Sequence, residues 1–289
     1  LHHLVRADEI RGKSCNRYMF HVEAANTMYV NAVATALLRN NMVSGKRWFS
    51  LTADYAFGHA LERDTEAVVN ASGGKVLGKV RHPFPGQDFS SFLLQAQASK
   101  AKVLGLANAG GDTINAIKQA AEFGIVKGGQ NLAGLLVFLT DVHALGLPTA
   151  QGLILTETFY WDMNDQTRAF ARRFAAANRG IHPTMVHAGV YSSVLHYLKA
   201  VEAAKTDDGS RIIAQMKSMP TEDPLFGKGS IRADGRKIHP AYLMEVKRPA
   251  ESKGAWDYHR LRATIPAERA FRPLADGGCP LAGAGEAKK

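Results

Sequence analysis

The stretch AKVLGLANAGGDTINAIKQAAEFG, residues 101–124, contains one complete strand-to-helix unit and shows how the chain folds. Its first part, residues 101–111, is almost continuously apolar and ends in small residues, which predicts a buried β-strand. Its second part, residues 112–124, repeats apolar residues at helical spacing, with Asp112 as the predicted N-cap and Gly124 at the end. An apolar strand followed directly by such a helix is typical of a parallel sheet covered by helices on both faces.

The same alternation of strand and helix occurs on both sides of this stretch. Short apolar runs precede each segment of helical periodicity, and Gly or Pro residues separate them. The predicted strands are residues 46–53, 75–83, 101–111 and 131–141, and the predicted helices are residues 57–74, 88–99 and 112–124. The sequence therefore predicts an α/β fold with a doubly wound parallel sheet.

The two ends of the chain follow other patterns. The first 45 residues hold one predicted strand, residues 18–22, and one helix from about residue 27 to residue 40, which is too little for a separate sheet. Later in the chain the sequence predicts three helices and then a strand, an Asp-Gly turn and a strand. These later elements are residues 166–180, 184–206, 211–219 and 226–249.

Length and charge limit the possible functions. A chain of 289 residues with 46% hydrophobic residues can form one large domain or two lobes. The formal charge of +10 attracts anions, but the basic residues are scattered and form no nucleic-acid signature, so a small anionic solute is the expected partner. No run of eighteen apolar residues predicts a membrane span, and no basic segment followed by an apolar stretch occurs near Leu1. An export signal is therefore expected to be absent or already removed.

Motifs for catalysis, cofactors and metals were not found in the sequence. GxSxG, GxxxxGK[ST] and HExxH are all absent, the eleven His residues are dispersed, and NAGGD (residues 108–112) lacks the GxGxxG register. The two cysteines, Cys15 and Cys279, fit neither a zinc site nor a CxxC pair. They are either two free thiols or one long-range disulfide, and an oxidising compartment would favour the bond. We therefore predict no enzyme activity, no cofactor and no metal.

Candidate binding residues follow the predicted strands, because ligands of open α/β sheets settle beyond the carboxyl ends of the strands. Helix starts at these positions offer backbone N–H groups that favour a carboxylate. Aromatic rings accompany them and either line a pocket or fill gaps between elements; for Tyr160 and Trp161 both interpretations stay open. The segments are residues 53–58, 108–112, 138–141 and 159–162, and their rings are Tyr55, Phe57, Phe138, Tyr160 and Trp161.

The order of these elements resembles a known family. The runs RWFSLTADYAFG (47–58) and GGKVLGKVRHPFPGQDFSSFLLQAQASKAKVLGLANAGGDTINAIKQAAEFGI (73–125) closely resemble the second lobe of periplasmic solute-binding proteins of the branched-chain amino acid type. The resemblance continues through GLILTETFYWDMNDQTRAFARRF (152–174), AGVYSSVLHYLKAVEAA (188–204) and GKGSIRADGRKIHPAYLMEVK (227–247). It covers nearly the whole chain from about Gly12.

The resemblance implies a two-lobed receptor of the type I periplasmic binding protein fold. Three hinge strands join the lobes, which close over one small ligand, and the receptor passes this ligand to the permease of an ABC importer without chemistry. The implied location is the periplasm, the implied state is a monomer, and nucleic acid is not a partner. In that compartment a disulfide between Cys15 and Cys279 becomes the favoured interpretation.

The resemblance also assigns second-lobe ligand contacts by position. Amino-acid-binding members place an acidic residue near the last of these segments to meet the ligand ammonium, and here that segment ends in Asp141. Members that bind aromatic or oxo acids present apolar and hydroxyl groups there, which Phe138 and Thr140 match. The resemblance therefore favours a small organic carboxylate, with a branched-chain amino acid as the alternative. The assigned contacts are Tyr55, Phe57, Asn108, Ala109, Gly110, Phe138 and Thr140.

The expected lobes are uneven in size. The first lobe would consist of residues 1–45 and 160–238 and be incomplete, because the family begins with several βαβ units that would precede Leu1. Its carboxylate-binding segment would fall near residues 3–9, which differ from the small-residue loop usual in the family. The second lobe would consist of residues 46–159 and 239–265, followed by a tail from 266 to 289.

Two other functions stay open at this point. The same lobes occur in ligand-sensing regulators, although such a regulator needs a DNA-binding or kinase segment that this sequence does not contain. An α/β enzyme is the second alternative, but no spacing of residues requires it.

Overall fold

The part of the chain that the structure describes contains ten strands, which form two sheets. The computed structural model describes residues 8–22, 25–34 and 47–282. Its strands are β1 (Arg47–Ala53), β2 (Lys75–His82), β3 (Val103–Ala107), β4 (Asn131–Gly134), β5 (Ile154–Glu157), β6 (Thr221–Asp223), β7 (Gly227–Ile231), β8 (Lys237–Ile238), β9 (Ala241–Val246) and β10 (His259–Ile265). Its α-helices are α1 (Asn26–Ala34), α2 (Ala56–Ala71), α3 (Ser90–Ala98), α4 (Gly110–Glu122), α5 (Leu139–Leu145), α6 (Leu147–Ala150), α7 (Asp165–Ala177), α8 (Met185–Ala204), α9 (Gly209–Ser218) and α10 (Ala267–Ala270).

The larger sheet has the strand order β10-β9-β5-β4-β3-β1-β2. Strands β1 to β5 pair in parallel, whereas β9 runs antiparallel to β5. All of β3 and all but the first residue of β1 are buried, since helices α1, α2 and α3 pack against this sheet. The predicted α/β fold with a parallel sheet is therefore confirmed.

The chain divides into two compact units, each made of separate segments. The first unit contains Leu1–Ala25, Thr158–Ala241 and Pro266–Lys289, and the second contains Asn26–Glu157 and Tyr242–Ile265. Helix α1 packs against α2 and β5, which places it in the second unit rather than in the lobe expected over residues 1–45. The segment that was expected to be a separate tail from residue 266 belongs to the first unit. The expected carboxylate-binding segment near residues 3–9 falls almost entirely outside the described residues.

Residues 131–141 do not form the single strand that the sequence predicts. Strand β4 ends at Gly134, and helix α5 begins at Leu139. The Asp141 carboxylate accepts a hydrogen bond from the Phe138 N–H group at 2.9 Å, which satisfies a backbone donor at the start of the helix. Asp141 thus stabilises a helix start within an apolar run that would otherwise favour a longer strand.

Two other local predictions are wrong. Helix α4 begins at Gly110, so Asp112 is its third residue and not its N-cap. Residues 18–22 form no strand, because only His21 makes a bridge, with Arg236. A contact between residues so distant in sequence leaves no periodic pattern in the local sequence.

The first unit combines helices α7, α8 and α9 with the three-stranded antiparallel sheet β6-β7-β8. The predicted Asp-Gly turn connects β7 to β8, and Gly235 in this turn has a φ of +77°. A Cβ atom on Gly235 would lie 2.1 Å from the Met19 carbonyl oxygen, so the turn requires glycine. The apolar cluster of this unit contains Phe20, Ala200, Ile212, Met216 and Ile231.

A disulfide joins Cys15 to Cys279, with the two Cα atoms 5.6 Å apart. Phe271 and Cys279 are buried, so the last described segment packs within the first unit. The Arg236 guanidinium also lies over the Phe271 ring, 4.4 Å from its centroid. Among the described residues, no helix is long and apolar enough to cross a lipid bilayer.

Replacing both cysteines, Cys15→Ser with Cys279→Ser, should lower the free energy of unfolding by about 2–5 kcal/mol, because the bond restricts the unfolded chain. Urea denaturation should show a lower midpoint for the double variant, and a reductant should lower the midpoint of the unmodified protein but not of the variant. Equal midpoints for both proteins would contradict a stabilising role for the bond.

Candidate functional site

Three predicted binding segments lie where a strand of the larger sheet leads into a helix. Tyr55 is the N-cap of α2 after β1, Ala109 is the N-cap of α4 after β3, and Phe138 is the N-cap of α5 after β4. Because these strands are parallel, their carboxyl ends lie at one edge of the sheet. This is the position at which open α/β sheets bind ligands at helix N-termini.

Helix α2 passes very close to the ends of β1 and β3. A Cβ atom on Gly58 would lie 2.1 Å from the Ala53 carbonyl oxygen and 3.1 Å from that of Ala107. No side chain fits in this space, so the glycine permits the close approach. The first turn of α2, and with it Tyr55, is held at the edge of the sheet.

Three rings form an aromatic platform, which we define as Tyr55, Phe57 and Phe84. The Tyr55 and Phe84 rings are stacked with centroids 4.5 Å apart, and the Phe57 ring lies 5.8 Å from Tyr55. Phe84 is 53% exposed, although Phe side chains are usually buried in folded proteins. Phe84 was not among the predicted binding residues, because it lies between Pro83 and Pro85 in a loop, where apolar periodicity gives no signal.

Behind this platform, His82, Asn108 and Thr113 form a buried chain of hydrogen bonds. The Thr113 hydroxyl donates to Asn108 Oδ1 at 2.7 Å, and Asn108 Nδ2 lies 3.3 Å from His82 Nε2. His82 Nδ1 lies 2.9 Å from the Pro83 carbonyl oxygen. The Asn108 side chain, predicted to contact a ligand, is fully buried and serves to hold His82 and the loop after β2.

Asp112 connects these hydrogen-bonded residues to the loop after β2. Its Oδ2 atom accepts a hydrogen bond from the Gly86 N–H group at 3.1 Å and lies 3.7 Å from His82 Nδ1. Asp112 is only 5% exposed. Burial raises the pKa of Tyr55, and the nearby negative charge of Asp112 raises it further. The Asp112 carboxylate therefore lies within electrostatic reach of the aromatic platform.

The start of α4 is open. Ala109 is half-buried, whereas Gly110 and Gly111 are exposed. Apart from the chain neighbours and the backbone of α4 itself, no atom of the described residues lies within 4 Å of the Cβ position at either glycine. The first backbone N–H groups of this 13-residue helix have no partner within the helix, and they carry the positive end of its dipole. The predicted segment around Ala109 and Gly110 thus presents hydrogen-bond donors next to open space.

The start of α5 contributes Phe138 and Thr140, which are both half-buried. Burial raises the pKa of Asp141, while its hydrogen bond from the Phe138 N–H group opposes this shift. The Asp141 carboxylate that was considered as a partner for a ligand ammonium is thus already engaged in capping its own helix.

Tyr160 and Trp161 belong to the first unit, as does His182. Tyr160 is buried and Trp161 is half-buried, with their ring centroids 5.9 Å apart. The Trp161 ring also makes an edge contact with the His182 ring at 4.6 Å. Tyr160 therefore contributes to packing within its own unit, and Trp161 keeps part of its ring accessible.

The described residues contain no group of three His, Cys, Asp or Glu side chains that could hold a metal ion. The chemistry available at the sheet edge includes backbone N–H groups, aromatic faces and the carboxylates of Asp112 and Asp141. Groups of these kinds are typical of sites that bind small molecules.

Comparisons with known proteins agree with this fold. Residues 4–255 match a family model described as periplasmic binding protein. A periplasmic binding protein from Burkholderia mallei is 51% identical, with 95% of this chain and 72% of that chain covered and a TM-score of 0.87. A branched-chain amino acid ABC transporter periplasmic ligand-binding protein from Burkholderia xenovorans is 40% identical, with 96% and 73% covered and a TM-score of 0.88.

A third similar structure is an amino acid ABC transporter substrate-binding protein from Pseudomonas fluorescens. It is 28% identical, with 96% of this chain and 73% of that chain covered and a TM-score of 0.88. No curated protein matches the chain.

Gly58→Ala should lower the free energy of unfolding by about 1–3 kcal/mol, because the added methyl group overlaps the Ala53 carbonyl oxygen. Thermal or urea unfolding measures this loss. Gly209→Ala is the matched control, since its Cβ position is open and it lies at the start of a helix. Equal stability of the Gly58→Ala and Gly209→Ala variants would show that α2 does not need this close approach.

Proposed function

Because this chain belongs to the periplasmic binding protein family, whose model matches residues 4–255, we propose that it is the extracytoplasmic substrate-binding component of an ABC transporter. Its ligand is a small organic carboxylate, either an aromatic or oxo acid or a branched-chain amino acid. Its protein partner is the transporter permease, and its location is the periplasm. The relative from Burkholderia xenovorans, at 40% identity, carries a description of this kind.

The observation that carries this proposal is the open start of α4 beside the aromatic platform. Gly110 and Gly111 are exposed, and backbone N–H groups in the first turn of a helix favour an anion through hydrogen bonding and the helix dipole. A carboxylate is the smallest organic anion that suits such donors. The formal charge of +10 attracts anions to the protein in general.

The apolar part of the ligand would contact the rings at the same edge. Phe84 has an exposed face, and Tyr55, Phe57 and Phe138 are partly accessible. Ala109 and Thr140 complete the proposed contacts on the second unit. Tyr160 and Trp161, in the first unit, stay predictions from the sequence.

The polar groups at this edge favour binding of a ligand without a chemical reaction. His82 is buried and lies between the Pro83 carbonyl oxygen and the Asn108 amide. Its ring nitrogens are used in positioning the loop and not in activating a nucleophile. We therefore propose a carrier of its ligand and not an enzyme.

A carboxylate ligand should raise the melting temperature, because it binds the folded protein and not the unfolded chain. At a concentration of about 100 times Kd, the stabilisation is about 2.7 kcal/mol. A thermal-shift screen should compare leucine, isoleucine, benzoate and 4-methyl-2-oxopentanoate with leucinamide and benzamide, the two controls in which an amide replaces the carboxylate. Binding of at least one acid but not its amide, verified by calorimetry, is the expected result. No binding of any acid would overturn the proposed function for this chain.

Substitutions in the aromatic platform should weaken binding of any acid found in that screen. We expect Tyr55→Ala and Phe84→Ala each to raise Kd by about 10-fold or more, which corresponds to about 1.4 kcal/mol of lost contact. Tyr18→Ala is the control, since Tyr18 is a 50% exposed ring of the first unit that lies outside this platform. Calorimetry that gives the same Kd for Phe84→Ala and Tyr18→Ala would exclude the platform from the site.

A further inference from the structure

A cavity of about 400 Å³ lies in the second unit, away from the candidate site. We name it the distal cavity, and its lining residues include Ala121, Lys127, Leu132, Leu153 and Arg248. Leu132 and Leu153 lie where β4 and β5 begin, and Ala121 lies in the last turn of α4. The candidate site, in contrast, lies beyond the carboxyl ends of the strands, where α4 begins. The two places therefore border opposite ends of one helix.

The walls of the distal cavity are aliphatic and belong to the core of the second unit. Four of the side chains that line it are at most 3% exposed, namely Ile117, Leu132, Ala150 and Leu153. Val126 also lines it and is 41% exposed, although its side chain is apolar. None of the described lining residues carries an aromatic ring. Such walls favour an aliphatic chain, because burial of apolar surface is favourable and no ring is present to stack on an aromatic ligand.

Two basic side chains, Lys127 and Arg248, give the distal cavity a positive rim. Both line the cavity and are exposed. The acids nearby are already paired, since Arg260 donates to Glu245 at 2.9 Å and to Glu251 at 2.8 Å. Arg248 contacts Glu251 through its backbone N–H group, at 2.8 Å. In the part of the chain that the structure describes, neither Lys127 nor Arg248 forms an ion pair.

Glycine turns explain why the distal cavity exists but not its chemistry. Gly124 and Gly152 line it, with φ values of +69° and +79°, and their missing side chains leave space between α4 and the start of β5. A gap of this origin needs no positive rim. Its volume falls in the range of about 300–1,000 Å³ that is typical of small-molecule sites. An apolar space below unpaired basic groups is complementary to a molecule with an aliphatic chain and one anionic group.

We propose that the distal cavity binds a medium-chain aliphatic carboxylate. The chain of this ligand packs against Ile117, Leu132 and Leu153, and its carboxylate lies between Lys127 and Arg248. A guanidinium offers paired N–H donors that match the two oxygens of a carboxylate. This second site goes beyond the proposed function, because it uses other residues and does not require a solute at the candidate site.

Calorimetry with octanoate and 1-octanol tests the proposal on the unmodified protein. Both probes carry the same aliphatic chain, and only octanoate has a charged head group. We expect octanoate to bind with a Kd of about 1 mM or lower and 1-octanol to bind about 10-fold more weakly. Absence of octanoate binding, or equal binding of 1-octanol, would overturn the inference and leave the proposed function standing.

The variant Ala121→Trp tests the location of the bound chain. Ala121 is an exposed position of α4 that lines the distal cavity, so a large ring there should fill the space without disturbing the core. We expect octanoate affinity to fall by about 10-fold or more. Ala176→Trp is the matched control, since Ala176 is an exposed alanine within α7 of the first unit. Equal octanoate affinity of the two variants would overturn the inference.

The double variant Lys127→Gln with Arg248→Gln tests the positive rim. It should weaken octanoate binding by about 10-fold and leave binding of 1-octanol unchanged. The control is Arg172→Gln with Arg173→Gln, which removes two exposed charges from α7 and should leave both affinities unchanged. Equal octanoate affinities of these two double variants would contradict a role of the rim.

The variant Phe84→Ala distinguishes the distal cavity from the candidate site, which is also proposed to bind a carboxylate. We expect it to leave octanoate affinity unchanged. Loss of octanoate binding in Phe84→Ala, with none in Ala121→Trp, would place octanoate at the candidate site and overturn the inference. If Ala121→Trp unfolds, the double variant at the exposed rim decides the question.

Discussion

The close approach of helix α2 to the ends of β1 and β3 is the constraint on which the candidate site depends. The space between the Gly58 Cα atom and the Ala53 carbonyl oxygen admits no side chain, so the helix can begin directly at the edge of the sheet. Tyr55 then lies at the first turn, where Phe84 stacks on it. A wider separation would move the ring away from the start of α4 and would divide the aromatic and polar parts of the site.

A second layer holds these groups from behind. The hydrogen bonds that link Thr113, Asn108 and His82 hold the Asn108 amide and the His82 ring in place. Asp112 joins this layer, with its Oδ2 atom 3.7 Å from His82 Nδ1 and 3.1 Å from the Gly86 nitrogen. Hydrogen bonds of this kind limit the motion of the groups that they join, and preordered groups lower the entropy cost of binding in general. The interior of the second unit therefore positions groups of the candidate site.

The sequence predicts the parts of this structure that depend on local periodicity. Strands β1, β2 and β3 and helices α2, α3 and α4 fall close to their predicted positions, because each is an uninterrupted apolar or amphipathic run. The end of β4 was missed, because it depends on one hydrogen bond between Asp141 and Phe138. The bridge between His21 and Arg236 was missed for a different reason, since it joins segments far apart in the chain.

For the candidate site, the sequence indicates an edge of the sheet but not the surroundings of each side chain there. Asn108 follows a strand as a ligand contact would, yet its side chain turns inward to His82. Phe84 and Asp112 have no motif of their own, and only the folded backbone brings them beside Tyr55.

The disulfide has a topological consequence of its own: because Cys15 and Cys279 enclose both segments of the second unit, that unit is an insertion within a covalently closed ring. A single proteolytic cut in it would leave the two resulting fragments linked to each other.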